Sequence, residues 1–475
     1  MFATALTVTQ LVVALLLASW IALQKRPPVA TLAWIALVAT LPVVGAALYY
    51  LIGHRRVTRN RFKRLRARLG LRAAREKLRD AAGRSGRPAL DRRAIQLMTL
   101  ATAVSDSPPS NASSVDLLLG GDATFAAIEA AIRAARHHVH LEYYIFEPDQ
   151  AGTRLRDALI ERARAGIEVR LLCDGVGSHH LGRRFLAPLL EAGARFAWFG
   201  PTTLARLRPR LFNFRTHRKI VVIDGSVGFT GGVNVTDDES VAVRGARAYR
   251  DTHVRIEGAA VRWLQLVFLE DWSYATGQAP TAAPYFPEIP DDGAHPVQIL
   301  ASGPDEPWQA IQKLYFSAIA SARDRVLVTT PYFVPDEAML TALTTAALRG
   351  VDVRILVPRR SDSRTATAAG RSFFDELLAG GVRVFEYGGG MIHAKTLVVD
   401  DAFAAVGTAN MDTRSFRLNY EVTAVSYDAA GAEALAQAFT ADLEKAHEVD
   451  RGELANDKLR RRLVQAGARL FAPLL

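Results

Sequence analysis

The sequence predicts an α/β fold made of two like halves related by pseudo-twofold symmetry. Each half is expected to be a mixed β-sheet flanked by helices, and a hydrophobic helical hairpin precedes them. Three observations predict this. One motif occurs twice. The segments leading to each copy repeat the same order of helix-like and strand-like patterns. Two long uncharged stretches open the chain.

The motif reads H-x-K-x4-D-x6-G-x2-N. Its first copy is His217, Lys219, Asp224, Gly231 and Asn234, and its second is His393, Lys395, Asp400, Gly407 and Asn410. Five fixed residue types at fixed spacing arise by chance in roughly one in ten thousand chains of this length. Inside each copy an apolar run, 220–223 or 396–399, reads as a buried strand. On an extended chain His and Lys two apart share a face. The Asn is expected to return on the next strand, after a turn at Asp224-Gly225 or Asp400-Asp401. An imidazole, an ammonium and an amide together suit an anionic phosphoryl group better than a carbonyl. A core histidine beside a snorkelling lysine explains one copy, but not two at identical spacing.

Composition sets the outer limits. The 475 residues allow two or three domains. A formal charge of +11 favours an anionic partner, lipid or nucleic acid, without choosing between them. The single cysteine, Cys173, excludes an internal disulfide, and its strand-like setting predicts a buried, inert thiol. No clustered His/Cys spacing predicts a metal site, and no cofactor is expected.

Taken in order, residues 1–53 are expected to form two transmembrane helices. Phe2–Leu23 is 22 residues without a charge and Val29–Ile52 is 24. Each can cross an apolar layer of about 30 Å as a helix. Pro42 and Gly45 are tolerable in such a helix. A second apolar stretch following at once, and the lack of a basic leader, argue against a cleaved signal peptide. Arg55, Arg56, Arg59, Arg61, Lys63, Arg64, Arg66 and Arg68 follow the second stretch and place what lies beyond it in the cytoplasm, against Lys25 and Arg26 in the hairpin loop. Residues 54–114 read as a basic helix and a linker; the helix either rests on an anionic leaflet or is simply solvated.

The halves are expected at 115–285 and 286–475, dividing near the Pro- and Ala-rich stretch 280–290, with an amphipathic segment at the C-terminal end. Phe125–Ala135 then Val139–Phe146 in the first half match Trp308–Ala322 then Arg325–Phe333 in the second. Gly166-Ile-Glu-Val-Arg-Leu-Leu matches Gly350-Val-Asp-Val-Arg-Ile-Leu. Strands alternating with helices favour a largely parallel sheet. A basic, apolar stretch, Leu204–Phe214, precedes His217 and is expected either to dock on a bilayer or to pack under its own loop.

The duplicated motif resembles the HKD motif of the phospholipase D superfamily in order, spacing and trailing Asn. Together with Tyr249-Arg-Asp251-Thr-His-Val-Arg-Ile-Glu and the two N-terminal hydrophobic segments, it resembles the bacterial cardiolipin synthase family over essentially the whole chain. The resemblance implies a catalytic set of His217, Lys219, Asp224, His393, Lys395 and Asp400. One His attacks a phosphodiester and forms a phosphohistidine, and the other passes a proton to the departing alcohol and takes one from the incoming alcohol. Family analogy assigns the attack to His217. Lys219, Lys395, Asn234 and Asn410 hold the phosphate oxygens, with no metal required. Asp224 and Asp400 are expected to bond within the fold, away from the phosphate.

The resemblance also implies a carboxylate downstream of each motif that orients its histidine: Asp251 for His217 and Glu421 for His393. Thr408 stands where the family often has Ser, and Gly232 occupies that place in the first copy. The implied protein is an inner-membrane cardiolipin synthase whose partners are phosphatidylglycerol and anionic membrane lipid. A hydrolytic phospholipase D, a nuclease of the same superfamily and a non-enzymatic membrane scaffold are the alternatives. The hydrophobic hairpin disfavours nucleic acid, and two intact motifs disfavour the scaffold.

Overall fold

The computed structural model describes residues 2–24, 28–50, 57–84, 90–200, 214–456, 458–470 and 472. Residues 63–203 and 214–475 form one compact unit, and 1–62 belong to another.

In the smaller unit, helices span Phe2–Ala22, Pro28–Thr40 and Pro42–Leu48. The second uncharged stretch is therefore not one helix, as the sequence had suggested. Leu41 leaves the helical region (φ −130°, ψ 71°) immediately before Pro42, because proline disfavours helical geometry in the residue it follows. Ala14, Ile21, Val38 and Tyr49 pack together, and the Tyr49 hydroxyl donates to Gln24 Oε1 at 2.8 Å. Among the described residues no helix is long and apolar enough to cross a membrane.

The larger unit is built on a single fifteen-stranded sheet. The first half contributes β1 (Ser110–Leu119), β2 (His138–Tyr143), β3 (Glu168–Asp174), β4 (Arg195–Phe199), β5 (Ile220–Ile223), β6 (Val227–Gly231) and β7 (Thr252–Gly258). The second contributes β8 (His295–Ser302), β9 (Arg325–Thr329), β11 (Asp352–Pro358), β12 (Arg383–Tyr387), β13 (Thr396–Val399), β14 (Phe403–Gly407), β16 (Glu421–Ser426) and β17 (Ala446–Glu448). The short β10 (Phe333–Val334) and β15 (Met411–Asp412) pair separately.

The order β12-β11-β9-β13-β14-β16-β8 continues as β1-β7-β6-β5-β2-β3-β4, and β17 is added at one edge. The second run mirrors the first, so the two halves meet at β8–β1 around a pseudo-twofold axis. β1 and β8 pair antiparallel, Ser110 opposite Val297. The sheet is mixed, as expected of each half, but it is not largely parallel. Parallel pairing is confined to β2-β3-β4 and β9-β11-β12, while the motif hairpins β5-β6 and β13-β14 and the central strands pair antiparallel. The alternation of helix and strand covers only the outer part of each half. The three-residue turns inside the motifs leave no room for a crossover helix.

Helices Val261–Thr276 and Ala429–Leu443 share one core with strands of both halves, including Ala112, Val254, Val297 and Val422. Full burial of side chains such as Phe268 and Leu264 stabilises by about 1.5–3 kcal/mol each. Two further cores lie against the two wings of the sheet. Ser110–Ser114, expected as linker, is the start of β1.

The basic segment forms helices Val57–Gly70 and Arg72–Arg84. The segment is not simply solvated, because part of it packs on the larger unit. Arg64 pairs with Asp271 at 2.5 Å and Arg75 with Glu270 at 2.5 Å, and Arg68 pairs with Glu306. Leu65 and Leu69 face outward instead. The cations turn inward because acids on the Val261–Thr276 helix and at 305–306 meet them.

Candidate active site

His217 and Lys219 lie on the extended segment entering β5, and His393 and Lys395 on the one entering β13. A parallel bridge joins Thr216 to Tyr420, and its equivalent joins Arg250 to Ile392. The His217 amide donates to Tyr420 O at 2.9 Å, and the His393 amide to Arg250 O at 2.8 Å. Each histidine is thus stitched by its backbone to the opposite half. Both histidines, with Asn234 and Asn410, line one cavity of about 920 Å³. The two asparagines sit three residues beyond the ends of β6 and β14, not on those strands. The Oδ1 atoms of both are buried and have no partner.

The lysines lie beneath the histidines, almost wholly buried. Lys219 Nζ donates to His217 O at 2.9 Å. Lys395 Nζ lies 2.9 Å from His393 Nδ1 and also donates to His393 O. Burial, then the charge of Lys395, pulls Lys219 down to about 7. Lys395 is lowered by burial as well.

The orienting carboxylates are the predicted pair, but they are exchanged between halves. His217 Nδ1 meets Glu421 Oε2 at 3.0 Å, and His393 Nδ1 meets Asp251 Oδ2 at 2.5 Å. Each carboxylate stands at the start of the strand that bridges to the other motif, so it faces the other histidine and not its own. In the neutral imidazole, an Nδ1–H held by a carboxylate leaves the Nε2 lone pair available.

The two clamps differ in detail. Glu421 accepts a second hydrogen bond from Thr408 Oγ1 at 2.5 Å and a third from Asn419 Nδ2 at 3.1 Å. In the first half Gly232 replaces Thr408, and a Cβ there would fall 2.0 Å from Asp251 Oδ1. The missing hydroxyl therefore leaves no gap, because the shorter Asp251 closes onto the bare backbone. Asp251 is held by the Thr252 amide at 2.7 Å.

Burial lowers His217 to about 4; the charge of Glu421 opposes this and that of Lys219 adds to it. Burial and then Lys395 lower His393. Burial alone would raise Glu421 and Asp251. The lysine and histidine charges facing them, with their hydrogen bonds, outweigh it and hold both below the usual carboxylate range.

Asp224 and Asp400 leave the catalytic set. Asp224 accepts from the amides of Arg136, His137 and His138 at 2.8–2.9 Å. Asp400 accepts from Asp324 and Arg325 amides at 2.8 and 3.1 Å and pairs with Arg93. Both hold a left-handed backbone, φ 52° and 54°, which Asp tolerates better than most residues. They fasten the turn of each hairpin to the neighbouring strand, far from the cavity lining.

Sequence reasoning missed Glu239. It is wholly buried, and its Oε1 accepts from the Asn234 amide at 3.1 Å. Ser415 Oγ makes the matching bond to the Asn410 amide at 3.1 Å. Both stand five residues after the motif Asn, and that shared offset was the signal available. Burial and then the charge of Asp251 push the Glu239 carboxyl well up. Glu239, Asp251 and His393 bring ligand atoms within 4.8 Å and are the described residues that could hold a metal. His393 Nδ1 is already engaged by Asp251, and Lys395 Nζ lies 3.8 Å from the same carboxylate. A cation there would meet the Lys395 ammonium and displace the His393–Asp251 bond, so the donor set fits it poorly.

The cavity wall carries Tyr144, whose ring is 5.0 Å from that of His217, and Tyr249, 5.7 Å from that of His393. Cys173 is buried and burial raises its thiol, so it stays inert. Of the Leu204–Phe214 stretch, 204–213 fall outside the described residues; Phe214 packs against the shared core. A pocket with two imidazoles, two ammoniums and two amides can bind one phosphodiester anion. It can supply a nucleophile and an acid from different halves.

Comparison with known proteins shows the family. Residues 128–272 and 315–443 match the family described as cardiolipin synthase, PLD-like domain. Residues 12–54 match the phospholipase D-nuclease N-terminal family. A cardiolipin synthase of Geobacillus kaustophilus (strain HTA426) is 41% identical over 466 residues, covering 96% of this chain and 91% of that one. Another, from Halalkalibacterium halodurans, is 40% identical over 465 residues, covering 95% and 90%. The crystal structure of phosphatidylserine synthase from Haemophilus influenzae Rd KW20 covers 80% of this chain and 98% of its own, with a TM-score of 0.60 and 14% identity. That is a likeness of fold alone.

Proposed function

This chain belongs to the cardiolipin synthase, PLD-like family, and from that premise we propose how it performs its phosphatidyl transfer. The phosphatidyl group of one phosphatidylglycerol moves to a glycerol hydroxyl of a second, giving cardiolipin and releasing glycerol. The observation that carries this reading is the pair of histidines in one cavity, each clamped by the carboxylate of the opposite half.

His217 Nε2 attacks phosphorus, and the bond to the glycerol oxygen breaks as His393 gives that oxygen its proton. The phosphatidyl group then rests on His217. The hydroxyl of a second phosphatidylglycerol passes its proton to His393 and attacks phosphorus. The phosphorus–nitrogen bond breaks and both histidines return to their starting state. Lys219, Lys395, Asn234 and Asn410 neutralise and orient the phosphate oxygens, a task for which a site otherwise uses a metal ion. The bound anion also offsets the burial and lysine repulsion that hold His393 neutral, so it favours the protonated acid.

We also propose that the protein is attached to the bacterial inner membrane through residues 1–53, with the two halves (115–285 and 286–475) on the cytoplasmic side. The uncharged stretches and the basic run after them support this. Outward-facing Leu65 and Leu69, and Leu459, Leu463, Val464 and Leu470 on the Leu459–Leu470 helix, give the larger unit apolar surface for a lipid face. Arg460, Arg461 and Arg462 beside them suit anionic headgroups.

The test is product analysis with purified phosphatidylglycerol. Cardiolipin and glycerol in equal amounts are expected; phosphatidic acid as the main product points to hydrolysis instead.

A further inference from the structure

The residue between the motif His and Lys differs between the halves. In the second it is Ala394; in the first it is Arg218, fully buried. On an extended strand it points away from His217 and Lys219, behind the cavity. Its Nε donates to Glu421 O at 3.0 Å and its Nη2 to Ser302 O at 3.1 Å. Its Nη1 donates to Asp271 Oδ2. The other oxygen of Asp271 takes the guanidinium of Arg64 at 2.5 Å. Arg64 is 4% exposed and belongs to the Val57–Gly70 helix.

Tyr420 lies between these cations, with Arg64 5.2 Å and Arg218 5.5 Å from its ring centre. Tyr420 O receives the His217 amide, and the next residue, Glu421, holds His217 Nδ1. A continuous set of contacts thus runs from Arg64 through Asp271 and Arg218 to both parts of the His217–Glu421 pair. Arg64 and Arg218 face Asp271 and Asp305, and burial and then the charge of Asp271 raise the neighbouring Glu142 carboxyl. The His393–Asp251 pair is backed differently: Ala394 ends at Cβ, and Arg250, which donates to Asp251 O at 2.6 Å and pairs with Asp442 at 2.9 Å, stands behind it.

We propose that Arg64 is a positioning residue for catalysis, acting through Asp271 and Arg218 to fix the His217–Glu421 pair, so that one residue of the basic helix, and not the helix as a whole, supports the reacting histidine. This rests on the reading of His217 as a reacting group. A network of buried, charge-assisted bonds holds geometry within tenths of an ångström, and small misplacement of a reacting group costs on the order of a hundredfold in rate.

The experiment compares full-length Arg64→Gln and Arg64→Lys with Arg68→Gln, a neighbour on the same helix whose carboxylates lie off this path. His217→Ala is the control for the underlying reading. Turnover and KM are measured on a short-chain soluble phosphatidylglycerol, with melting temperature alongside. Arg64→Gln should lose at least tenfold in kcat with KM within about twofold. Arg64→Lys should recover part of kcat, and Arg68→Gln should keep it even where its melting temperature falls equally. The proposal is overturned by normal kcat in Arg64→Gln, by an equal kcat loss in Arg68→Gln, or by a loss confined to KM. Should Arg64→Gln fold poorly, Arg64→Lys decides on the same kcat and KM criteria per folded molecule. Activity in His217→Ala instead refutes the two-histidine reading itself.

Discussion

His217 Nδ1 and Glu421 Oε2 lie 3.0 Å apart although 204 residues separate them in the chain. Their partnership, mirrored by His393 and Asp251, makes each reacting group the joint product of two motifs.

Variants of the carboxylates should therefore follow the histidine of the other half. Loss of either His217 or His393 to Ala should abolish synthesis in correctly inserted protein. Glu421→Gln should match His217→Ala, with no phosphatidyl adduct formed. Asp251→Asn should match His393→Ala, where adduct formation slows for want of the acid but the adduct on His217, once formed, persists because its breakdown lacks a base. Removing an orienting carboxylate lowers turnover on the order of 10⁴-fold in comparable dyads. Trapping with labelled lipid and mapping of the modified peptide checks the pairing; an adduct in Glu421→Gln but not in Asp251→Asn would reverse it.

The pH profile has predictable limbs. Attack needs neutral His217, whose pKa is lowered to about 4; kcat/KM should therefore fall only as pH drops through about 4. On the alkaline side His393 must carry its proton to act as the acid, and burial and then Lys395 lower it; Lys219 is lowered to about 7, so its charge, and with it phosphate binding, also fades as pH rises through about 7. Since kcat/KM reports the free enzyme, both limbs belong to that plot. In kcat the alkaline limb should move upward, because bound phosphate favours the ammonium. An acid limb in kcat/KM near the ordinary histidine value would contradict the burial argument.

Gly232 and Thr408 are equivalent in sequence but not interchangeable. Gly232→Ala should cost 1–3 kcal/mol or more of stability, the typical range for overpacking, as its Cβ collides with Asp251. Thr408→Val keeps the shape but removes the bond to Glu421. That loss is expected to reduce turnover about tenfold, in line with about 1.4 kcal/mol per decade. Thermal melts and kcat separate the two effects.

Activity should survive a strong chelator, since two lysines face the phosphate and the Glu239–Asp251–His393 cluster is internally bonded. Dialysis against chelator followed by assay on phosphatidylglycerol vesicles is the check. Loss that a divalent ion restores would move that cluster into the mechanism.

The exposed apolar face of the C-terminal helix offers a further test. Leu463→Ser with Val464→Ser should lower activity on vesicles several-fold and leave activity on a short-chain soluble substrate within about twofold, since each buried leucine or valine contributes about 1.5–3 kcal/mol. Equal loss on both substrates would assign the helix a packing role only.

Much of this site could be read from the sequence, because catalysis fixes short spacings. The two His and the Asn at a fixed offset line one cavity with the two Lys buried beneath the histidines, and the helix–strand repeat gives the paired halves. What could not be read was tertiary. Nothing local tells Glu421 that its partner is His217, since the exchange arises where β16 and β7 cross the pseudo-twofold axis. Arg64 sits in a run of cations that resembles a solvated face. Only the fold brings Asp271 and Asp305 to it. The antiparallel centre of the sheet was masked by the helix-strand alternation of the wings.

β1 and β8, each the first strand of its half, pair with each other across the axis. Two identical subunits could make the same contact, because a twofold interface uses one patch twice. Identical subunits, however, must carry identical residues at equivalent positions. Here Arg218 stands opposite Ala394, Gly232 opposite Thr408, Glu239 opposite Ser415 and Asp251 opposite Glu421. Joining the copies in one polypeptide releases them from that equality. One histidine can then be shaped for attack and the other for proton transfer, a division of labour that no symmetric homodimer of the half-chain can encode.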